Sequence, residues 1–273
     1  MSFGKYCCWD LKGKKSCRRL ISALLAECIG VAVVMIVGCS AVAPNHQLSL
    51  LYAATAFGFA MSIALMAVAH ISGGHVNPAV TVAALVLGKL SPISAVLYVL
   101  SQCIGGLIGM QAVLFMQPDS LSGEFCVTQL APGVDPLKGV AVEAIFTSIL
   151  ALLACSSFDH RNSNKLDSSP IRFGIAIIAL TIAGRKLTGC SMNPARSLAP
   201  ALLFGNFNNL WVYWAGPMGG GLLMSLFYRL VLYENTPPEF HEDSLEHEPL
   251  TNMKSIFLQT RRDSHDIYAK TGE

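Results

Sequence analysis

Long apolar runs, not a regular alternation with polar positions, organise this chain. Six of them approach or exceed the roughly 20 residues needed to cross the hydrocarbon core of a bilayer: Leu20–Val42, Leu48–Ala69, Pro92–Met116, Leu137–Phe158, Ile171–Ala183 with its flanks, and Leu210–Leu232. The fifth is the shortest, because Arg185 and Lys186 follow it closely. Two further segments, Pro78–Leu87 and Pro194–Phe204, are too short to span and predict re-entrant half-helices or buried core pieces.

A repeat orders these elements. Asn77-Pro78-Ala79 opens the first short segment and Asn193-Pro194-Ala195 the second, 116 positions on (77 to 193). The same offset carries Glu27, inside the first span, onto Glu143, inside the fourth. It also carries Ile71-Ser72-Gly73 onto Leu187-Thr188-Gly189. Three features in one register mark a duplication. Each copy holds three spans, an odd number, so the second copy lies upside down relative to the first. The predicted fold is therefore an all-α membrane protein of six transmembrane helices and two re-entrant half-helices in an inverted repeat. Its expected parts are an N-terminal segment 1–19, repeats 20–136 and 137–232, and a polar tail 233–273.

Composition agrees: 53% of the residues are hydrophobic and only 13% charged, about half the charged fraction of a soluble domain. A net charge of +2 gives no basic surface for nucleic acid. The basic residues are unevenly placed. Lys5, Lys12, Lys14, Lys15, Arg18 and Arg19 precede the first span, and Arg161, Lys165 and Arg172 lie between the fourth and fifth. Connections 43–47 and 117–136 hold no Lys or Arg. This asymmetry predicts cytoplasmic N- and C-termini. Cys28, Cys39, Cys103 and Cys155 sit in apolar runs and read as small packing residues without the spacing of a disulfide framework. Cys7, Cys8 and Cys17 are candidate palmitoylation sites.

The chemistry lies at the two half-helix starts. Asn is a strong N-cap and Pro suits the first helical position, where its missing N–H is no loss. Either Asn-Pro alone reads equally well as an ordinary turn opening a buried helix. Two in inverted register bring two positive helix ends, each worth about half a charge, together near the midplane. Each Asn can cap its own helix through oxygen and still offer an amide N–H to a lumen. A water that accepts such bonds cannot also extend a proton-conducting chain, so the arrangement favours neutral guests over protons and cations. Unpaired, Glu27 and Glu143 would each cost at least about 2.5 kcal/mol within a span. They are expected to accept hydrogen bonds from the backbone ahead of each half-helix. Arg196, where the first copy has Val80, is expected to be the one charge in the lumen. Gly105-x-x-x-Gly109 and Gly216-x-x-x-Gly220 are expected at close helix contacts.

Over approximately residues 18–232 the chain resembles the aquaporin (major intrinsic protein) family. The resemblance rests on Ala26-Glu27, the run from His70 to Val80 and the run from Thr188 to Ser197. It implies a homotetramer with one pore per subunit, in the plasma membrane, passing water and small neutral solutes without a cofactor or metal. It also implies a filter at Phe57, Thr181, Cys190 and Arg196, with the Gly189 and Cys190 carbonyls as acceptors, mercurial block at Cys190, and His75 lining the cytoplasmic half. His70 is expected to be buried and hydrogen-bonded. Thr181 stands where water-selective members usually carry His, which is similar to glycerol-permeable insect relatives and implies passage of glycerol or urea. Ser197, Ala201, Tyr213 and Trp214 are similar to the strictly water-selective pattern instead.

Two other classes fit less well. An enzyme needs a nucleophile–base pair or a metal cluster, and His70, His75 and Cys190 lack ligand spacing. A junctional or structural membrane protein needs external surface, and the connections 43–47 and 117–136 offer little.

Overall fold

Eight α-helices appear in the computed structural model, which describes residues 14–42, 50–117 and 124–234. They are α1 (Lys14–Ser40), α2 (Leu50–Ser72), α3 (Pro78–Val86), α4 (Pro92–Met116), α5 (Pro136–Phe158), α6 (Ser169–Thr188), α7 (Pro194–Phe204) and α8 (Val212–Phe227). A 3-10 segment, His160–Ser168, joins α5 to α6, and a π-helical turn, Tyr228–Leu232, prolongs α8. Six stretches are long and apolar enough to cross a membrane: α1, α2, α4, α5, α6 with its 3-10 segment, and α8 with its π turn. The tail from 235 lies outside the described residues, as do Cys7 and Cys8, whereas Cys17 is exposed on α1.

Local sequence sets the helix starts. Asn77, Ser91, Asp135 and Asn193 each accept a backbone N–H at the N-cap of α3, α4, α5 and α7, and Pro takes one of the first two helical positions in all four. Gly189 and Gly205 end α6 and α7 in the left-handed conformation that glycine adopts without strain. The bounds of α4 and α7 coincide with those expected. By contrast, α1 begins at Lys14 instead of Leu20, because lysine and arginine are good helix formers and extend it into the polar segment. α6 runs from Ser169 to Thr188 and so takes in the flanks expected around Ile171–Ala183. Arg185 and Lys186 do not stop it, since cations in a last turn complement the helix dipole.

Polar side chains are buried among an otherwise apolar interior, and large apolar side chains cover much of the outside. Glu27, Gln102, Asn77, Glu143, Asn193 and Arg196 are buried, while Phe59, Ile104, Ile108, Ile145 and Leu223 face outward. That is the distribution a lipid solvent demands. α1 packs on α4 as α5 packs on α8, and α2 meets α6 between the two halves. Each half-helix lies against the other half: α3 on α8, and α7 on α4. Two glycine pairs permit this. A Cβ at Gly105 would run into the Cys28 carbonyl, and one at Gly220 into that of Ala144. A Cβ at Gly106 would lie 2.9 Å from the Ala195 oxygen, and one at Gly221 would lie 2.9 Å from that of Ala79. Each pair thus seats the helix carrying its own half's buried glutamate and, beside it, the half-helix of the opposite half.

Candidate functional site

Asn77 and Asn193 face each other where the half-helices meet. The Asn77 Oδ1 caps α3 by accepting the Ala79 N–H at 2.8 Å, and its amide donates to the Met192 carbonyl at 2.8 Å. Asn193 Oδ1 accepts from Ala195 and Arg196, at 3.1 and 3.3 Å, and its amide donates to the Val76 carbonyl at 2.9 Å. Each asparagine therefore spends one amide hydrogen on the opposite half, leaving the second for the lumen. Val76 and Met192 both sit in the left-handed region, at φ 51° and 52°. For the β-branched Val76 this is an outlier that surroundings must enforce.

The buried glutamates enforce it. Glu27 accepts from Ser72 Oγ at 2.6 Å, the His75 N–H at 3.0 Å, the Val76 N–H at 2.6 Å and Gln102 Nε2 at 2.7 Å. Glu143 accepts from Thr188 Oγ1 at 2.7 Å, the Ser191 N–H at 2.9 Å and the Met192 N–H at 2.8 Å. Behind them, Tyr98 donates to the Ser72 carbonyl at 2.9 Å and Tyr213 to that of Thr188 at 2.8 Å. The hydroxyls of Ser72 and Thr188 were legible in the sequence as positions of one register. Gln102 was not, because Pro217 stands near the equivalent place in the second half.

A narrow cavity of about 30 Å³ runs past Asn77 and Asn193 to Phe57, Thr181, Gly189, Cys190 and Arg196. About 10–15 Å³ of such space holds one water, so it has room for about two. Arg196 is buried, its guanidinium carbon 4.9 Å from the Phe57 ring centre. Its Nη1 donates to the Cys126 carbonyl at 2.6 Å and its Nη2 to Cys126 Sγ at 3.4 Å. Cys190 Sγ lies 3.2 Å from the Leu180 carbonyl. Pro78, Ala79, Pro194 and Ala195 are buried in the half-helix starts.

Two wider cavities are present, the first of them sharing Arg185, Gly189 and Arg196 with the narrow one. One of about 430 Å³ is bounded by Glu124, Cys126, Thr128, Arg185 and Arg196. The other, about 470 Å³, is bounded by His70, Gly73, Val80, Phe158, Asp167 and Phe173. Next to Phe158 of the second cavity, Asp159 Oδ2 accepts from Arg161 Nη2 at 2.6 Å and from the Tyr228 hydroxyl at 3.0 Å, and Arg161 also reaches the Leu232 carbonyl at 2.6 Å.

Three expectations need correction. Cys39 is no simple packing residue: it is bonded to Cys126, a partner that an 87-residue separation hides from sequence spacing. Arg185 also lines the narrow cavity, so Arg196 is not its one charge; the long α6 carries it there. His70 is exposed and borders the wider cavity, because α2 continues two residues beyond it to Ser72. His75 is buried against Tyr98 and Phe158, with Nδ1 3.2 Å from Thr81 Oγ1.

Six spans and two half-helices about a narrow cavity, with Asn77, Asn193, Thr181 and Arg196 in its wall, fit a multi-pass membrane channel. Residues 14–228 match the family model "Major intrinsic protein", and the chain belongs to that family, a family of channels and not of enzymes. It is similar to the lens fiber major intrinsic protein of Gallus gallus, with 38% identity over 77% of this chain and 81% of that one. It is also similar to aquaporin-2 of Bos taurus, with 35% identity over 82% of each chain. Among solved structures, the aquaglyceroporin from Plasmodium falciparum shares the fold, with a TM-score of 0.66 and 22% identity over 78% of this chain and 96% of that one.

Proposed function

We propose that this protein is a passive channel for water and for small uncharged solutes, glycerol and urea among them, that excludes protons and ions. The observation that carries the reading is the crossed pair of capped asparagines beside the narrow cavity. Each Asn offers a donor at a point where two helix N-termini make the field positive, so neutral molecules pass by exchanging hydrogen bonds while cations are repelled. Arg196 and Arg185 add fixed positive charge on the same path. Phe57, Thr181, Cys190 and Arg196 form the proposed filter, with Gly189 supplying a backbone acceptor. Thr181 leaves more room than a histidine would, and that favours polyols. The working form is a homotetramer in the plasma membrane, with both termini cytoplasmic.

A second reading, a strictly water-selective channel, is favoured by the small size of the narrow cavity. Swelling of oocytes together with radiolabelled glycerol uptake separates the two. Wild type is expected to pass both solutes, and Thr181→His to stop glycerol while sparing water. Swelling without glycerol uptake in the wild type would leave the second reading standing.

A further inference from the structure

Two walls of the narrow cavity share one covalent link. Cys39 follows Gly38 near the end of α1, and a Cβ on Gly38 would overlap the Phe57 ring, so this stretch of α1 is the seat of Phe57. Cys126 belongs to the segment that closes over Arg196, and it supplies both the carbonyl and the sulfur that Arg196 contacts. Phe57 and Arg196 in turn face each other at 4.9 Å. Cys126 sits at φ 62°, a conformation that L side chains disfavour and that turns its carbonyl toward the guanidinium. On either side the segment has non-covalent ties as well, among them the Asn206 amide donating to Glu124 and the Ala131 N–H donating to the Leu187 carbonyl. Phe125 packs edge-on against Phe204 at 5.6 Å, and Thr128 Oγ1 donates to Ser197 Oγ at 2.8 Å. The disulfide therefore joins the seat of the aromatic wall to the tether of the cationic wall.

We propose that the Cys39–Cys126 disulfide is a specificity-determining link, which fixes the gap between Phe57 and Arg196 and so sets the largest neutral solute that passes. The inference rests on the channel reading above and deepens it. With the bond in place, the Cys126 carbonyl holds one edge of the Arg196 guanidinium and leaves its remaining N–H donors for the guest. With the bond broken, the segment moves away from α1, Arg196 loses a fixed acceptor, and the gap widens toward polyols. Cys39 and Cys126 act here as positioning residues, since neither sulfur is required to touch the solute.

The test uses full-length protein in liposomes, with water and glycerol permeabilities measured by stopped-flow light scattering. Two forms are compared with oxidised wild type. One is the Cys39→Ser/Cys126→Ser double variant. The other is wild type reduced with a water-soluble phosphine, which ends as its oxide while the two sulfurs take up protons as thiols; free thiols are counted after unfolding. The glycerol-to-water ratio is expected to rise roughly fivefold in both, the effect of losing one ordinary hydrogen bond, and to return on reoxidation with oxidised glutathione. A merely structural staple would lower thermal stability without moving the ratio. An unchanged ratio in fully reduced wild type, or in a double variant with normal water flux, overturns the proposal. Should the double variant not fold, the ratio in reduced wild type decides the matter. If oxidised wild type passes water and no glycerol, the polyol part of the channel reading fails while the link is still supported by glycerol passage on reduction. A wild type that passes neither overturns both.

Discussion

Val76 and Met192 occupy equivalent places in the two halves, and their left-handed backbones aim carbonyls at the opposing asparagines. Such conformations cost about 1–3 kcal/mol each and persist only where neighbours hold them. Glu143 holds the turn at Met192 with hydrogen bonds accepted from Thr188, Ser191 and Met192, whereas Glu27 has a further donor in Gln102. Replacing Glu143 with Gln turns one acceptor oxygen into a donor that faces a backbone N–H. The expected result is a loss of about 3 kcal/mol, seen as a lower melting temperature in detergent, together with loss of water flux in liposomes. Equal melting temperatures for Glu143→Gln and wild type would contradict this account of the strut. The need of both acids for buried donors was legible in the sequence, because an acid within a span has few other options. The strain they hold in place was not, since nothing in the identity of Val76 signals a positive φ.

Several close helix contacts in this bundle fall at glycines. Gly105→Ala and Gly220→Ala would drive a methyl into a carbonyl of the facing helix, and each is expected to destabilise by about 1–3 kcal/mol. Gly219→Ala in the same α8 meets nothing within 4 Å and serves as the matched control, expected to melt within a degree or so of wild type or slightly above it. Size-exclusion profiles after stepwise heating would order the three. The contact role of these glycines was readable from their four-residue spacing, and the N-caps of α3 and α7 from Asn-Pro. The disulfide was out of reach of the same reading. Cys39 is surrounded by apolar neighbours, and Cys126 lies beyond two intervening spans, so only the fold brings them together. Arg185 escaped for a related reason: a cation after an apolar run looks like a span's end, and here the helix continues past it.

For the molecule as a whole, the end bearing the 3-10 segment is fastened by Asp159. Burial alone would raise its carboxyl, but hydrogen bonds from Arg161 and Tyr228 outweigh burial and hold it at about 2, below the ordinary 3.8. A depressed carboxylate stabilises the folded state above its unfolded value, and that contribution fades as pH falls through about 2. Asp159→Asn is therefore expected to melt below wild type by a constant margin above pH 4, with the gap closing between roughly pH 4 and 2. Melting curves in detergent across that range would show it. A gap that widens on acidification would reverse the assignment.

The crossed seating of the half-helices bears on how the chain is made. α3 is complete by Val86, yet the glycine it leans on, Gly221, is synthesised more than a hundred residues later. The leading half thus leaves the ribosome as an unfinished object, with a short helix that touches α4 of its own half but lacks its main seat on α8 until the trailing half arrives. A protein stopped after residue 136 should turn over quickly in cells. Supplying the missing half as a separate chain should rescue it.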